Sequence, residues 1–135
     1  MEPSIFTLII RGEIPCHKIY EDERTIAFLD IHPIQKGHIL VVPKVQVADF
    51  YDLGDEDYAA FFATVKKVAR QLRTKFPAKK RIGVMIEGLD VEHVHAKVFP
   101  IDSGDEYRYA PDMSIDPDHT ALAELADYLR IEEGF

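Results

Sequence analysis

The order of apolar segments along the chain predicts an α+β fold built on an antiparallel sheet. Three short apolar segments precede one long amphipathic segment, two more follow it, and a short amphipathic segment lies near the end. No repeat and no Gly/Ser-rich linker divides the 135 residues, a length typical of one domain. We therefore predict a single domain over residues 1–135.

Five segments have the length and composition of strands. They are residues 18–20, 25–30, 38–43, 81–87 and 93–100. The first two flank a charged turn at residues 21–24 and are expected to pair as a hairpin, and a turn over residues 32–37 precedes the third. Residues 4–10 form a further apolar segment, to which we assign no secondary structure.

Two segments have helical periodicity. Residues 55–76 place apolar side chains every three or four positions, which predicts a long helix with one buried stripe. The stripe consists of Tyr58, Phe61, Phe62, Val65, Val68, Ala69, Leu72 and Phe76. Near the end of the chain, Asp116 is a typical N-cap and Pro117 suits the first position of a short helix. Its apolar face is predicted to consist of Leu122, Leu125 and Leu129.

The charge distribution argues against a nucleic-acid partner. The net charge is −8, and residues 101–135, with ten acidic and two basic side chains, account for all of it. Residues 1–100 are neutral, with fourteen of each sign, so DNA would find no general attraction. Any phosphate site must therefore be local and built from placed groups.

Composition also predicts a cytoplasmic protein. No apolar run approaches the roughly 20 residues that span a bilayer, and the N-terminus lacks the basic region of a signal peptide. Cys16 is the single cysteine, which excludes an intrachain disulfide and fits a reducing compartment. We expect it to be a structural thiol.

The segment that runs from His93 through His95 and Lys97 to Pro100 carries the chemistry. Side chains alternate along a strand, so the two histidines and the lysine are expected on one face. Imidazoles near an ammonium suit a nucleophile or a base beside an anion. Two other interpretations stay open: a polar sheet face without function, and a metal site, which the positive charge of Lys97 disfavours.

This segment resembles the strand motif of the histidine triad (HIT) superfamily, in which three histidines alternate with apolar residues and Pro commonly follows. Here Lys97 stands at the third histidine. Further segments are similar to the Hint branch of the superfamily, in the same order. They are Ile5-Phe6, residues 9–15, residues 20–22, residues 27–31, Pro33 and residues 37–44. The resemblance covers about residues 4–101, and it implies a HIT-like fold with a five-stranded antiparallel sheet, one long helix and a C-terminal helix.

The resemblance implies a site for a purine nucleotide or nucleotide conjugate. His95 takes the position of the nucleophile that forms a nucleotidyl-histidine, His93 would orient and polarise the site, and His38 would support the tautomer of the nucleophile. Asp30 would accept hydrogen bonds from the ribose hydroxyls. Apolar side chains around the base would be Ile9, Ile14, Phe28, Leu29 and Ile31, although each could equally belong to the core. Hint-like proteins are homodimers, and we carry that over as an expectation.

Several positions depart from the family pattern. Lys97 can neutralise a phosphate oxygen but is a poorer proton donor than an imidazolium at neutral pH. Ile86 stands where the family usually has Asn, and the loop over residues 88–92 is short and acidic, so phosphate-side donors are fewer. Glu92 is expected to pair with Lys97 or a histidine.

The metal site of some bacterial relatives is also altered. They carry Cys-x-x-Cys where this chain has Ser4 and Thr7, and hydroxyls are poor zinc ligands. We therefore expect neither a metal nor another cofactor.

Three functions remain open from the sequence. The first is hydrolysis of, or transfer from, nucleoside 5′-monophosphate conjugates of the phosphoramidate type through His95. The second is binding of nucleotides or of a protein partner with little turnover. The third is cleavage of dinucleoside polyphosphates.

Overall fold

A computed structural model describes residues 2–132. Its helices and strands in chain order are α1 (Ile5–Ile10), β1 (Lys18–Glu21), β2 (Thr25–Leu29), β3 (Ile39–Pro43), α2 (Asp55–Lys75), β4 (Arg81–Met85), β5 (Ala96–Ile101), α3 (Gly104–Tyr107) and α4 (His119–Leu129), with a 3₁₀ turn at Phe50–Asp52 before α2. The strands form one antiparallel sheet in the order β1-β2-β3-β5-β4. The predicted α+β fold, with a five-stranded sheet, a long helix and a C-terminal helix, is confirmed.

The two faces of the sheet carry different layers. α2 lies across β3 and β5, and α4 packs beside it against β1. Phe61, Val68 and Leu72 of α2 are fully buried between helix and sheet, and burial of one such side chain contributes about 1.5–3 kcal/mol. On the opposite face, Phe6 of α1 packs with Phe28 and Leu40. This second face is where the candidate site lies.

Helix α4 begins later than predicted. Asp118, not Asp116, is its N-cap, because the Asp118 carboxylate accepts a hydrogen bond from the backbone N–H of Ala121 at 3.1 Å. Pro117 therefore precedes the helix instead of starting it. Leu129 is fully buried, and Leu122 and Leu125 pack against the same core, as predicted.

Other boundaries also differ from the prediction. Residues 4–10 contain the short helix α1, and β4 ends at Met85 instead of residue 87. β5 begins at Ala96, so the two histidines of the motif precede the strand. Tyr58, predicted on the buried stripe of α2, is exposed because it lies in the first turn of the helix, beyond the sheet. Within residues 2–132, every helix is too short or too polar to span a bilayer.

Candidate active site

The motif segment keeps the predicted alternation of sides although it lies partly outside the strand. Val94, Ala96 and Val98 pack into the core beneath α2. His93 and His95 lie on the opposite side, where both rings meet the ring of Phe6 edge-on, with centroids 5.8 and 4.9 Å away. His93 and His95 are both buried, and each ring is oriented by at least one hydrogen bond to a backbone carbonyl.

His95 is held in one neutral tautomer. Its Nδ1 lies 2.8 Å from the backbone carbonyl oxygen of His93, which can only accept, so Nδ1 carries the proton. Nε2 therefore keeps its lone pair. Burial lowers the pKa of His95, and the positive charge of Lys97 adds to this, while the hydrogen bond to His93 opposes it. The ring is consequently an uncharged nucleophile at neutral pH.

His38 is fixed in the opposite tautomer. Its Nδ1 accepts a hydrogen bond from the backbone N–H of Ile34 at 2.9 Å, so Nε2 carries the proton. That N–H faces Asp30 Oδ2 at 3.6 Å, beyond hydrogen-bonding distance, and it has no partner among the described residues. The expected support of the His95 tautomer by His38 is not what the structure shows, because the His93 carbonyl takes that role.

Asp30 lies at the end of β2 with one carboxylate oxygen engaged. Oδ1 accepts from the backbone N–H of His32 at 2.8 Å, while Oδ2 lies opposite the His38 N–H. Burial raises the pKa of Asp30, and the hydrogen bond from His32 and the charge of Lys97 lower it in part. Oδ2 is therefore the oxygen of Asp30 left to accept a further hydrogen bond, while the His38 N–H beside it is buried.

Lys97 pairs with a residue that the sequence did not indicate. Its Nζ lies 3.3 Å from Oε2 of Glu87, just after β4. Glu92, which was expected to pair with Lys97 or a histidine, is exposed instead. Burial alone would raise the pKa of Glu87, but the hydrogen bond from the Leu89 N–H and the charge of Lys97 lower it, so Glu87 is ionised.

A cavity of about 850 Å³ brings the predicted site residues together. Those that line it are Ile9, Ile14, Phe28, Leu29, Asp30, Ile31, His38, His95 and Lys97. His93 does not line the cavity and lies fully buried behind it. The lining is mostly apolar, with a few polar groups at one end, which is the usual character of a small-molecule site.

The sequence analysis missed one wall of this cavity. It consists of residues after β5, including Tyr107, Arg108, Tyr109 and Met113. The exposed aromatic and apolar side chains of this Asp- and Pro-rich loop were the available signal, because loops of that composition rarely expose several large apolar groups.

The hydroxyl groups of Ser4 and Thr7 are engaged in hydrogen bonds to other side chains and are not arranged around a metal site. The Ser4 hydroxyl bonds His93, and the Thr7 hydroxyl donates to Gln46. Within the described part of the chain, no three His, Cys, Asp or Glu side chains are grouped as a metal would need. Two hydroxyls and an amide are poor ligands for zinc, so this cluster does not fit the metal of the zinc-bearing relatives.

We expect the burial of His38 to make the protein acid-sensitive. Its pKa is lowered from 6.5 to about 3, first by burial and then by the charges of Lys97 and His95. Between these values the unfolded chain binds a proton that the folded chain does not, so His38 stabilises the fold above pH 6.5 and this stability is lost as pH falls. The loss is at most about 1.4 kcal/mol per pH unit.

His38→Gln tests this, because glutamine can still accept from Ile34 but does not titrate. Urea unfolding at pH 7, 6, 5 and 4 should show wild type losing stability faster than the variant, so that the gap in unfolding free energy narrows. The raised pKa of Asp30 acts in the opposite direction in both proteins and cancels in the comparison. If the unfolding free energies of the two proteins changed with pH in parallel, the lowered pKa of His38 would be contradicted.

Comparison with known proteins identifies the family. The HIT domain family matches residues 11–104. The chain is 40% identical over 106 residues to protein hit of Bacillus subtilis, covering 73% of this chain and 71% of that one. It is 38% identical over 96 residues to the adenosine 5′-monophosphoramidase hnt1 of Schizosaccharomyces pombe, covering 71% and 72%.

Two solved structures have the same fold. A Hit-like protein of Bartonella henselae superposes with a TM-score of 0.79 at 30% identity, covering 94% of both chains. A zinc-bound histidine triad family protein of Mycobacterium smegmatis gives a TM-score of 0.75 at 30% identity, covering 93% of this chain and 89% of that one. The predicted family is therefore confirmed: this chain belongs to the HIT domain family.

Proposed function

We propose that the protein binds a nucleotide in the cavity and hydrolyses nucleoside 5′-monophosphate conjugates of the phosphoramidate type through His95. The observation that carries the proposal is the position of His95. Its Nε2 lone pair is held on the wall of an apolar cavity, next to the one lysine among the described residues that line it. A fixed, uncharged nucleophile beside a cation suits attack on a phosphorus atom that bears negative oxygens.

The reaction takes two displacements at phosphorus. In the first, Nε2 of His95 forms a bond to the α-phosphorus as the P–N bond to the amine breaks, and the amine leaves with a proton supplied by Lys97 or by water. In the second, the oxygen of a water molecule attacks phosphorus, the bond to Nε2 breaks, and the water proton restores the acid. The products are a nucleoside 5′-monophosphate and an amine.

The remaining polar groups divide the substrate between them. Asp30 Oδ2 is the carboxylate oxygen available to accept hydrogen bonds from the ribose hydroxyls, and the buried His38 N–H lies 3.6 Å from it. Ile9, Phe28 and Ile31 supply apolar surface for the base. In this arrangement Asp30 and the apolar side chains bind the nucleoside, whereas His95 and Lys97 take part in the reaction.

Charge in the cavity favours a neutral or cationic leaving group over a polyphosphate. Among the described residues that line the cavity, the lysine is Lys97 and the arginine is Arg108. Lys97 lies 3.3 Å from the carboxylate of Glu87, and Arg108 lies 3.4 Å from that of Asp105. Asp90 adds a further acid to the lining. A leaving group with two or more negative charges would meet little uncompensated positive charge. For this reason we propose phosphoramidates, rather than dinucleoside polyphosphates, as the preferred substrates.

The deciding assay offers the protein adenosine phosphoramidate and diadenosine tetraphosphate separately and measures AMP release. We expect kcat/KM to be at least about tenfold higher for the phosphoramidate, a difference of about 1.4 kcal/mol in transition-state binding. Preferred cleavage of the tetraphosphate would support the third function instead. AMP binding by calorimetry, with no product from either compound, would support the second, a binding protein with little turnover.

Further properties belong to the same proposal. The similarity of residues 37–44 and of the hairpin to the Hint branch supports a Hint-like protein, a preference for purines and a homodimer. β4 is an edge strand, and the exposed side chain of Val84 leaves apolar surface there for a second copy. We propose a cytoplasmic location on the basis of the composition.

A further inference from the structure

Four polar side chains meet outside the cavity, at the point where α1 begins. Ser4 Oγ lies 2.7 Å from His93 Nδ1 and 3.0 Å from the backbone N of Thr7, which makes Ser4 the N-cap of α1. Gln46 Oε1 accepts from Thr7 Oγ1 at 2.6 Å and from the backbone N–H of Ser4 at 2.8 Å. The start of the helix is thereby tied to the segment after β3 and to the histidine motif.

The direction of each hydrogen bond follows from the atoms involved. His93 Nε2 lies 2.8 Å from the carbonyl oxygen of Pro43, which can only accept, so Nε2 carries the proton. Burial lowers the pKa of His93, which keeps the ring neutral. Nδ1 must then be an acceptor, and the Ser4 hydroxyl donates to it. Ser4 thus directs its proton to His93 at 2.7 Å, with Thr7 Oγ1 a longer contact at 3.3 Å, and it accepts from the backbone N–H of Thr7.

These bonds are needed because the backbone around His93 has no sheet partner. β5 pairs with β3 and β4 only from Ala96 onward. Before that point the Val94 N–H bonds the carbonyl of Val47, and the two ring nitrogens of His93 supply the other described anchors. The His93 carbonyl, which fixes the His95 tautomer, is therefore held by the Val94 N–H of its own peptide unit and by the two bonds of the His93 ring.

We propose that Ser4 is a positioning residue for His95. Its hydroxyl fixes the ring of His93, the fixed ring holds the His93 carbonyl, and that carbonyl holds the proton of His95 on Nδ1. The cap of α1 also places Phe6, whose ring centroid lies 4.9 Å from that of His95. The kinetic part of this inference rests on the proposed function, whereas the tautomer part does not.

Ser4→Gly removes the hydroxyl at little cost to the helix, because glycine is itself a favourable N-cap residue. We expect kcat for adenosine phosphoramidate to fall about tenfold or more, since small displacements of a nucleophile are costly, while the dissociation constant of AMP changes less than about threefold. Ser4→Thr keeps donor and acceptor and should restore kcat. Imidazole ¹⁵N shifts should show a single His95 tautomer in wild type and a mixture in Ser4→Gly.

Thr7→Val is the matched control. It removes the hydroxyl that ties α1 to Gln46 but leaves the contact between Ser4 and His93, so kcat should stay within about twofold of wild type. An equal loss of kcat in Thr7→Val, or an unchanged kcat and tautomer in Ser4→Gly, would overturn the proposal. If wild type turns over no conjugate, the proposed function fails, and the ¹⁵N shifts alone decide the role of Ser4: a mixture supports it and a single tautomer refutes it.

Discussion

Replacing His95 by alanine is expected to abolish turnover of adenosine phosphoramidate while leaving nucleotide binding largely intact. In the proposed mechanism the imidazole supplies the Nε2 lone pair that forms the covalent intermediate, and the structure places this ring on the wall of the cavity. Loss of a nucleophile costs rate more than ground-state affinity. We expect kcat to fall on the order of 10³-fold or more and the dissociation constant of AMP to stay within about tenfold.

Mass spectrometry of a reaction that is stopped without acid tests directly for the covalent intermediate on His95. Wild type should gain the mass of one nucleotide on the peptide that contains His95, and the alanine variant should gain none. His95→Gly is a useful companion, because imidazole added to the buffer can enter the vacated space and recover part of the rate. Full activity in His95→Ala, or an adduct found only on Lys97, would show that the nucleophile is wrongly assigned.

The helices, the strands and the two sides of the motif segment could be predicted because they depend on local patterns, whereas the resemblance to the family implied the predicted residues of the cavity. Alternation along residues 93–98 separates the histidines from the valines, and this holds even though β5 begins at Ala96. The length of α2 and its buried stripe follow in the same way from the periodicity of residues 55–76. Such patterns lie within one segment and need no knowledge of the other segments.

The partners of the site residues could not be predicted, because they come from distant segments. Glu87 reaches Lys97 from the end of the neighbouring strand, and Ser4 reaches His93 across 89 positions of sequence. The six residues of α1 are too few for a clear helical period, so the element that carries Ser4 was itself not predicted. The expected pairing of Lys97 with Glu92 was wrong, since nearness in sequence does not determine which acid a lysine meets.

The Glu87 pair changes what a substitution at Lys97 should do. The resemblance of residues 93–100 to the family motif implies that Lys97 takes the place of the third histidine, and we propose that an acid at this position protonates the leaving amine. An ammonium is a much weaker acid than an imidazolium. Glu87 also lies 3.3 Å from the ammonium and competes with the substrate for its hydrogen bonds. If slow protonation of the leaving group limits the rate, an imidazole at this position should relieve it.

Lys97→His is therefore expected to raise kcat for phosphoramidates with a poor amine leaving group by about tenfold, which is less than a full general-acid effect because the imidazole replaces a weaker acid that is already present. The gain should shrink toward none for acyl phosphates or pyrophosphates, whose leaving groups need little protonation. The measurement is kcat over a series of leaving groups of increasing acidity, compared between the two proteins. A smaller dependence of the rate on leaving-group acidity in the variant would support proton delivery.

Glu87→Gln separates proton delivery from simple charge. It keeps Lys97 but removes the carboxylate 3.3 Å from the ammonium, so the positive charge becomes available to the substrate. Substrates with good and poor leaving groups should then gain alike, with the largest gain in affinity for anionic ones. If Lys97→His gave the same uniform gain as Glu87→Gln, charge at the phosphate, and not protonation of the amine, would be what the lysine and its acidic partner control.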